Sequence, residues 1–160
     1  MRTTLFKACK QQDIHTCLDT NGFVRKYDPI IDELLDNTDL VLLDIKQMDD
    51  PTHITLTKVS NQRTLQIAQY LAERNQKTWI RYVVVNGFTD DVASAIKLAE
   101  FIKPMSNVEK VELLPYHQLG EHKWQAFGET SPLANVSPPS KETMLSIQQV
   151  FTERGIAAYF

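Results

Sequence analysis

An α/β fold around a parallel sheet is predicted by three observations. Strand-length apolar runs alternate with amphipathic helical stretches along the whole chain. The run Leu40-Val41-Leu42-Leu43 is continuously apolar, as in a strand covered on both faces. The segments between runs carry helical patterns, so neighbouring strands pair in parallel through right-handed crossovers. Composition sets the bounds. With 160 residues, 42% hydrophobic and 23% charged, the chain suits a single domain, residues 1–160, with a real core. It falls short of the roughly 250 residues of a complete eight-fold β/α barrel.

Each element has its own signal. Residues 5–11 read as the tail of a helix, with Leu5, Phe6 and Cys9 apolar, and residues 14–19 as the first strand. Asp28 followed by Pro29 opens a helix over 29–37 that places Ile30, Ile31, Leu34 and Leu35 on one face. Strands are predicted over 40–45 and 78–85, separated by a helix over 63–75 with Leu65, Ala68, Leu71 and Ala72 aligned. Thr89-Asp90-Asp91 supplies capping oxygens for a helix over 91–103, whose stripe is Val92, Ala95, Ile96, Ala99 and Ile102. A fourth strand follows over 108–114. Pro138-Pro139-Ser140 opens the last helix, 141–154, which aligns Met144, Ile147, Val150 and Phe151 and stops at Gly155. Residues 156–160 form a short final strand. These spacings fit an open wound sheet and part of a β/α barrel equally well.

In either fold, ligands sit at the carboxyl ends of the strands. Those ends carry Asp19-Thr20-Asn21-Gly22, Asp44-Ile45-Lys46, Arg81 inside the third strand, and Tyr116-His117. Such charges pair with one another or with a ligand, because leaving them buried and unpaired is costly. Two carboxylates with Lys46, Arg81 and His117 suit a ligand bearing both a carboxylate and an amine. The carboxylates alone suit a hard cation. Each residue also has a plainer reading: Asp19 as a turn residue, Asp44 and Lys46 as a local ion pair, His117 as a loop histidine.

Other classes lose support. The net charge is −3 with no basic block, against a nucleic-acid partner. No apolar run of about 18 residues is present, and the first ten residues lack the marks of an export signal, so no membrane role is expected. Cys9 and Cys17 lack metal-ligand spacing and fit a reducing cytoplasm, with Cys17 expected as a small buried hydrophobe. His15 and His53 have no partner at i+3 or i+4. Gly-x-Gly-x-x-Gly, phosphate-loop and Gly-x-Ser-x-Gly motifs are absent.

The wording of the strand ends is specific. The segments 15–23 (His-Thr-Cys-Leu-Asp-Thr-Asn-Gly-Phe), 43–48 (Leu-Asp-Ile-Lys-Gln-Met), 79–85 (Trp-Ile-Arg-Tyr-Val-Val-Val), 113–120 (Leu-Leu-Pro-Tyr-His-Gln-Leu-Gly) and 122–124 (His-Lys-Trp) closely resemble the pyruvate formate-lyase activating enzymes. These are radical S-adenosylmethionine activases of glycyl-radical enzymes, and the resemblance runs in order over essentially the whole chain. It implies part of an incomplete, TIM-like barrel. It implies reductive cleavage of S-adenosylmethionine at a 4Fe-4S iron–sulfur cluster, with an electron donor such as flavodoxin, and hydrogen abstraction from a glycine of a partner such as pyruvate formate-lyase. By that resemblance Lys46, Arg81, His117 and Asp44 contact the cofactor. Asp19, Thr20 and Asp44 line a monovalent-cation site, with the Leu42 backbone contributing. Residues 116–124 face the partner's glycine-bearing loop.

The sequence departs from the family where the cluster is held. The Cys-x-x-x-Cys-x-x-Cys triad and the Gly-Gly-Glu motif do not occur in it. The resemblance therefore implies the carboxyl-terminal portion of an activase, inactive by itself. Its first strand is expected to expose an open sheet edge that a complementary fragment or a second copy covers. The alternative is a catalytically incomplete binding or complementing module.

Overall fold

The computed structural model describes residues 2–160. Five strands, β1 (Cys17–Thr20), β2 (Leu40–Asp44), β3 (Thr78–Val84), β4 (Val108–Pro115) and β5 (Ala158–Tyr159), form one parallel sheet in sequential order. Around them lie α1 (Arg2–Lys10), α2 (Pro29–Asp36), α3 (Asp50–Thr57), α4 (Gln62–Glu73), α5 (Val92–Ile102), α6 (Glu121–Ala126) and α7 (Lys141–Thr152), with a 3₁₀ turn at Gln118–Gly120.

The sequential order decides between the two architectures. A wound sheet reverses its strand order at a switch point and carries helices on both faces. Here the order never reverses, so right-handed crossovers place the connecting helices on one side, as in a β/α barrel. The sheet stays open between β1 and β5.

Alternate residues of each strand build the core. Val41, Leu43, Ile80, Tyr82, Val84, Val111 and Leu113 pack against Leu35 of α2, Ile67 and Leu71 of α4, Leu98 and Ile102 of α5, and Ile147 and Phe151 of α7. Each such fully buried aliphatic or aromatic side chain stabilises the fold by about 1.5–3 kcal/mol. Caps fall where the sequence places them. Asp28 accepts from the Ile30 and Ile31 N–H groups, Asp91 from Ser94 and Ser140 from Thr143.

The opposite face carries a different set. Two rows cross it in register: Asp19, Leu42, Trp79 and Lys110, then Asp44, Arg81, Glu112 and Tyr159. Lys110 bridges the rows, 2.8 Å from Glu112 and 3.4 Å from the centre of the Trp79 ring. Because the connecting helices cover only one side, two expectations fail here. Cys17 is exposed rather than buried, and the 40–43 run is buried on its helix side while Leu42 is half-buried. Val92 and Leu5 are likewise exposed rather than aligned with the core. The first strand begins at Cys17, with Ile14 left exposed.

The amino end of the sheet is tied by a polar network. The Thr16 hydroxyl donates to the Asn37 carbonyl at 2.7 Å, and the Thr16 N–H donates to Asp39 at 2.8 Å. Lys10 of α1 pairs with the same carboxylate, which holds Asp39 well below the ordinary carboxylate value, at about 2. Between β3 and β4, the Asn107 side-chain amide donates to the Gln76 carbonyl at 2.9 Å and the Thr78 hydroxyl at 3.2 Å.

Candidate functional site

Four of the residues singled out in the sequence meet at the carboxyl ends of β1, β2 and β3. Asp44 and Arg81 are register partners on adjacent strands. Arg81 Nη1 lies 2.7 Å from Asp19 Oδ2, its Nε lies 3.7 Å from Asp44 Oδ1, and Lys46 Nζ donates to Asp44 Oδ2 at 2.8 Å. Asp44 is the most enclosed of the four, its side chain 18% exposed against 62% for Asp19. Its Oδ1 is buried and has no hydrogen-bond partner among the described residues. Two cations beside it offset the cost of burying the charge, yet one carboxylate oxygen is left without a donor.

The loops around this cluster are held rigidly. After β1, Gly22 adopts φ +68°, and a Cβ there would stand 2.6 Å from Ile67 Cγ2 and 2.8 Å from Leu43 Cδ1. Only glycine fits that turn. The Thr64 hydroxyl of α4 donates to the Asn21 carbonyl at 2.8 Å, and the Thr20 hydroxyl accepts from the Gly22 N–H at 3.1 Å. Strand alternation points the Thr20 side chain away from Asp19, into a cavity of about 480 Å³ that it lines with Leu35 of α2 and Ile67 of α4. After β2, the buried Gln47 side chain donates to the Phe88 carbonyl at 2.7 Å and accepts from the Met48 N–H at 2.7 Å. The Asn61 side chain donates to the carbonyls of Gln47 and Met48 at 3.0 and 2.9 Å.

The exit of β3 is braced from within. Tyr82 is fully buried, burial pushes its phenol far above the ordinary value, and the O–H donates to the Thr89 carbonyl at 3.0 Å. The Thr89 hydroxyl in turn donates to the Val83 carbonyl at 2.8 Å. Arg81 therefore projects from a strand whose exit is hydrogen-bonded to the turn that follows it.

His117 stands apart from the cluster. It is exposed and lines a cleft of about 540 Å³ with Leu56 and Lys58, Phe88, Tyr116, Trp124 and Leu133. A smaller cavity of about 70 Å³ opens beside Asp44 and Lys46, and Thr57 lines both. The wall between them is thus α3, a short helix with no amphipathic signal in the sequence. The segment beyond His117 leaves Leu119 and Phe127 strongly exposed and Trp124 partly so.

No family profile matches the chain. Among curated proteins, the pyruvate formate-lyase 1-activating enzyme of Escherichia coli (strain K12) is 59% identical over 155 residues, which is 97% of this chain and 63% of that protein. The chain is homologous to the pyruvate formate-lyase activating enzymes. It spans about 63% of the length of that curated relative. The crystal structure of a domain of the pyruvate formate-lyase activating enzyme from Bacteroides vulgatus ATCC 8482 superposes with a TM-score of 0.81 at 28% identity. That match covers 98% of this chain and 87% of that one. A radical SAM methyltransferase from Sphaerobacter thermophilus shares the fold, with a TM-score of 0.67 at 22% identity over 92% of this chain and 41% of that one. The open parallel sheet with helices on one side is therefore a fold shared with both of these structures.

The structure also reveals residues whose part in the site has no signal in the sequence. Gln47 and Asn61 look like ordinary polar loop residues until their buried hydrogen bonds are seen. His53 has no partner at metal-ligand spacing, yet it lines the cavity beside Asp44 and Lys46. No sequence signal marks it, because α3 lacks the apolar periodicity that would have placed it on a face.

Proposed function

We propose that this chain forms the cofactor-binding rim of a glycyl-radical enzyme activase. Lys46, Arg81, His117 and Asp44 hold S-adenosylmethionine at the carboxyl ends of the strands. The observation that carries this reading is the buried Asp44 Oδ1, left without a donor inside a ring of fixed charges and built into a relative of activating enzymes. Arg81 Nε approaches that oxygen only to 3.7 Å, beyond hydrogen-bond reach, so it remains open to a ligand's donor.

The roles follow from charge and reach. Lys46 and Arg81 offer donors to a ligand carboxylate, and Asp44 offers an acceptor to an amine or hydroxyl. Asp19 and Asp44, with the Leu42 carbonyl, supply oxygen ligands for a monovalent cation; Thr20, expected from the sequence to join them, drops out because its side chain turns to the opposite face of β1. Two carboxylates already neutralised by Arg81 and Lys46 suit a single positive charge better than a divalent ion. The cleft between His117 and Trp124, with its exposed apolar residues, accepts the glycine-bearing loop of a partner such as pyruvate formate-lyase. Cys9 and Cys17 do not make a cluster-binding triad, so a 4Fe-4S cluster would be held by cysteines other than these two. Such a cluster, reduced by a donor such as flavodoxin, would supply the electron for reductive cleavage of S-adenosylmethionine and so the hydrogen-abstracting chemistry. The cytoplasm, where thiols stay reduced, is the compartment that fits.

Calorimetric titration of the purified chain tests this. S-adenosylmethionine is expected to bind, and inorganic phosphate is not. Arg81→Met and Lys46→Met each weaken the cofactor. Binding of phosphate in preference to S-adenosylmethionine would sink the proposal in favour of a general anion site. After iron–sulfide reconstitution this polypeptide is expected to show no reductive cleavage. Turnover by it alone would overturn the assignment of the cluster ligands to other residues.

A further inference from the structure

The cavity beside Asp44 contains a buried histidine to which the proposed function gives no task. His53 is 4% exposed, and its ring lines that cavity with Asp44 and Lys46. Its Nδ1 lies 2.8 Å from the Val59 carbonyl oxygen and 3.0 Å from the Thr57 hydroxyl. A carbonyl oxygen can only accept, so Nδ1 carries the proton and donates it. In the neutral ring Nε2 is then a bare acceptor. It has no hydrogen-bond partner among the described residues. Thr57 is itself fixed, donating to the His53 carbonyl at 2.8 Å, which keeps its oxygen beside Nδ1.

Two acceptors without partners among the described residues therefore belong to residues that line one cavity of about 70 Å³: the buried Asp44 Oδ1 and the His53 Nε2. The buried carboxylate oxygen is costly without a donor, and the cavity holds on the order of two waters. What would satisfy both is a group bringing donors of its own. A phosphate offers only oxygens to accept with, so Asp44 and Nε2 both disfavour it. An ammonium would pair with Asp44 but has no lone pair to offer Lys46. Adjacent hydroxyls fit all three: one O–H for the carboxylate, one for the imidazole, and a lone pair for the lysine.

We propose that His53 is a ligand-binding residue of the rim, its Nε2 accepting a hydrogen bond from a hydroxyl of a sugar-like part of the bound molecule. The inference rests on the reading that the rim binds S-adenosylmethionine, whose ribose supplies such hydroxyls. It adds a contact from α3, an element outside the strand ends, and gives that short helix a part in recognition.

The two ring nitrogens can be separated by substitution. His53→Asn retains a donor for the Val59 carbonyl and lacks Nε2; His53→Gln reaches the Nε2 position and loses the brace. Thermal melting and calorimetric titration of the full chain with S-adenosylmethionine, and with its 2′-deoxy and 3′-deoxy counterparts, supply the readouts. His53→Asn is expected to melt near the parent and to bind S-adenosylmethionine about threefold to tenfold more weakly. One deoxy analogue should bind the parent more weakly than S-adenosylmethionine does, while His53→Asn does not distinguish the two. If His53→Asn binds all three ligands as the parent does, the histidine only braces α3 and the inference is overturned. In the unsubstituted chain, the nitrogen resonance of His53 Nε2 should move on ligand addition. An unmoved resonance at saturating S-adenosylmethionine overturns it independently of any variant. Failure of the underlying reading looks different. The parent then binds no S-adenosylmethionine, Asp44→Asn changes nothing, and both proposals fall together.

Discussion

The two ends of the sheet use similar polar residues and treat them in opposite ways. At the amino end, Thr16 is buried with its hydroxyl and N–H both engaged, and Asp39 accepts from Thr16 while pairing with Lys10. Gln76, Thr78 and Asn107 close a second network there, with only the neutral Asn107 Oδ1 left over. The Nε of Arg74 is also unmatched there, but its other two nitrogens pair with Asp32 and Asp36. At the carboxyl end a carboxylate oxygen, Asp44 Oδ1, is buried without a donor, and the neutral His53 Nε2 has no partner among the described residues. An unmatched buried polar group costs about 1–3 kcal/mol, more when charged. The end that leaves acceptors open beside a cavity is the one suited to bind a ligand.

That division can be broken by experiment. The largest effect is expected from Gly22→Ala, because left-handed backbone and a Cβ clash against Ile67 and Leu43 act together. A loss of about 2–4 kcal/mol of stability should appear in denaturant titration. Cofactor binding should fall with it, since this turn follows directly on Asp19 and Thr20. Next comes Asp44→Asn, expected to weaken S-adenosylmethionine tens-fold, roughly 2 kcal/mol, while the melting temperature changes little. A variant that lost stability but kept affinity would move Asp44 into the structural class. Thr16→Val should do the reverse, costing about 1–2 kcal/mol in denaturant titration and leaving affinity unchanged. Weakened binding in that variant would show that the two ends are coupled.

The smallest effect is a pH dependence at the amino end. Asp39 is ionised in the folded state down to about pH 2, lower than in the unfolded chain. Its stabilisation is present above the ordinary carboxylate value, near 3.9, and is lost as the pH falls through about 2. Melting temperatures of the parent and Asp39→Asn should therefore converge between about pH 4 and pH 2. Curves that stay parallel across that window would remove Asp39 from the network that ties α1 to the sheet.

Much of this was legible in the residues alone. Apolar runs and helical stripes placed all five strands and five of the helices, because burial imposes its period wherever an element has one covered face. Asp19, Asp44, Lys46, Arg81 and His117 stood out because charge at a strand exit needs a partner, and the motif wording pointed to the activating enzymes. The brief helices α3 and α6 escaped, since short polar segments have no period to read. Cys17 was misplaced for a related reason: a strand sequence cannot say whether its second face will be covered. Spacing alone left a wound sheet and a partial barrel open; the resemblance implied the barrel, and the strand order of the tertiary structure shows it, with every crossover on one side. The tertiary structure alone set Asp44 beside Arg81 in register, moved His117 to a neighbouring cleft and brought His53 to the Asp44 cavity. Register and strand order are long-range choices, made by packing across the sheet, and no local spacing records them.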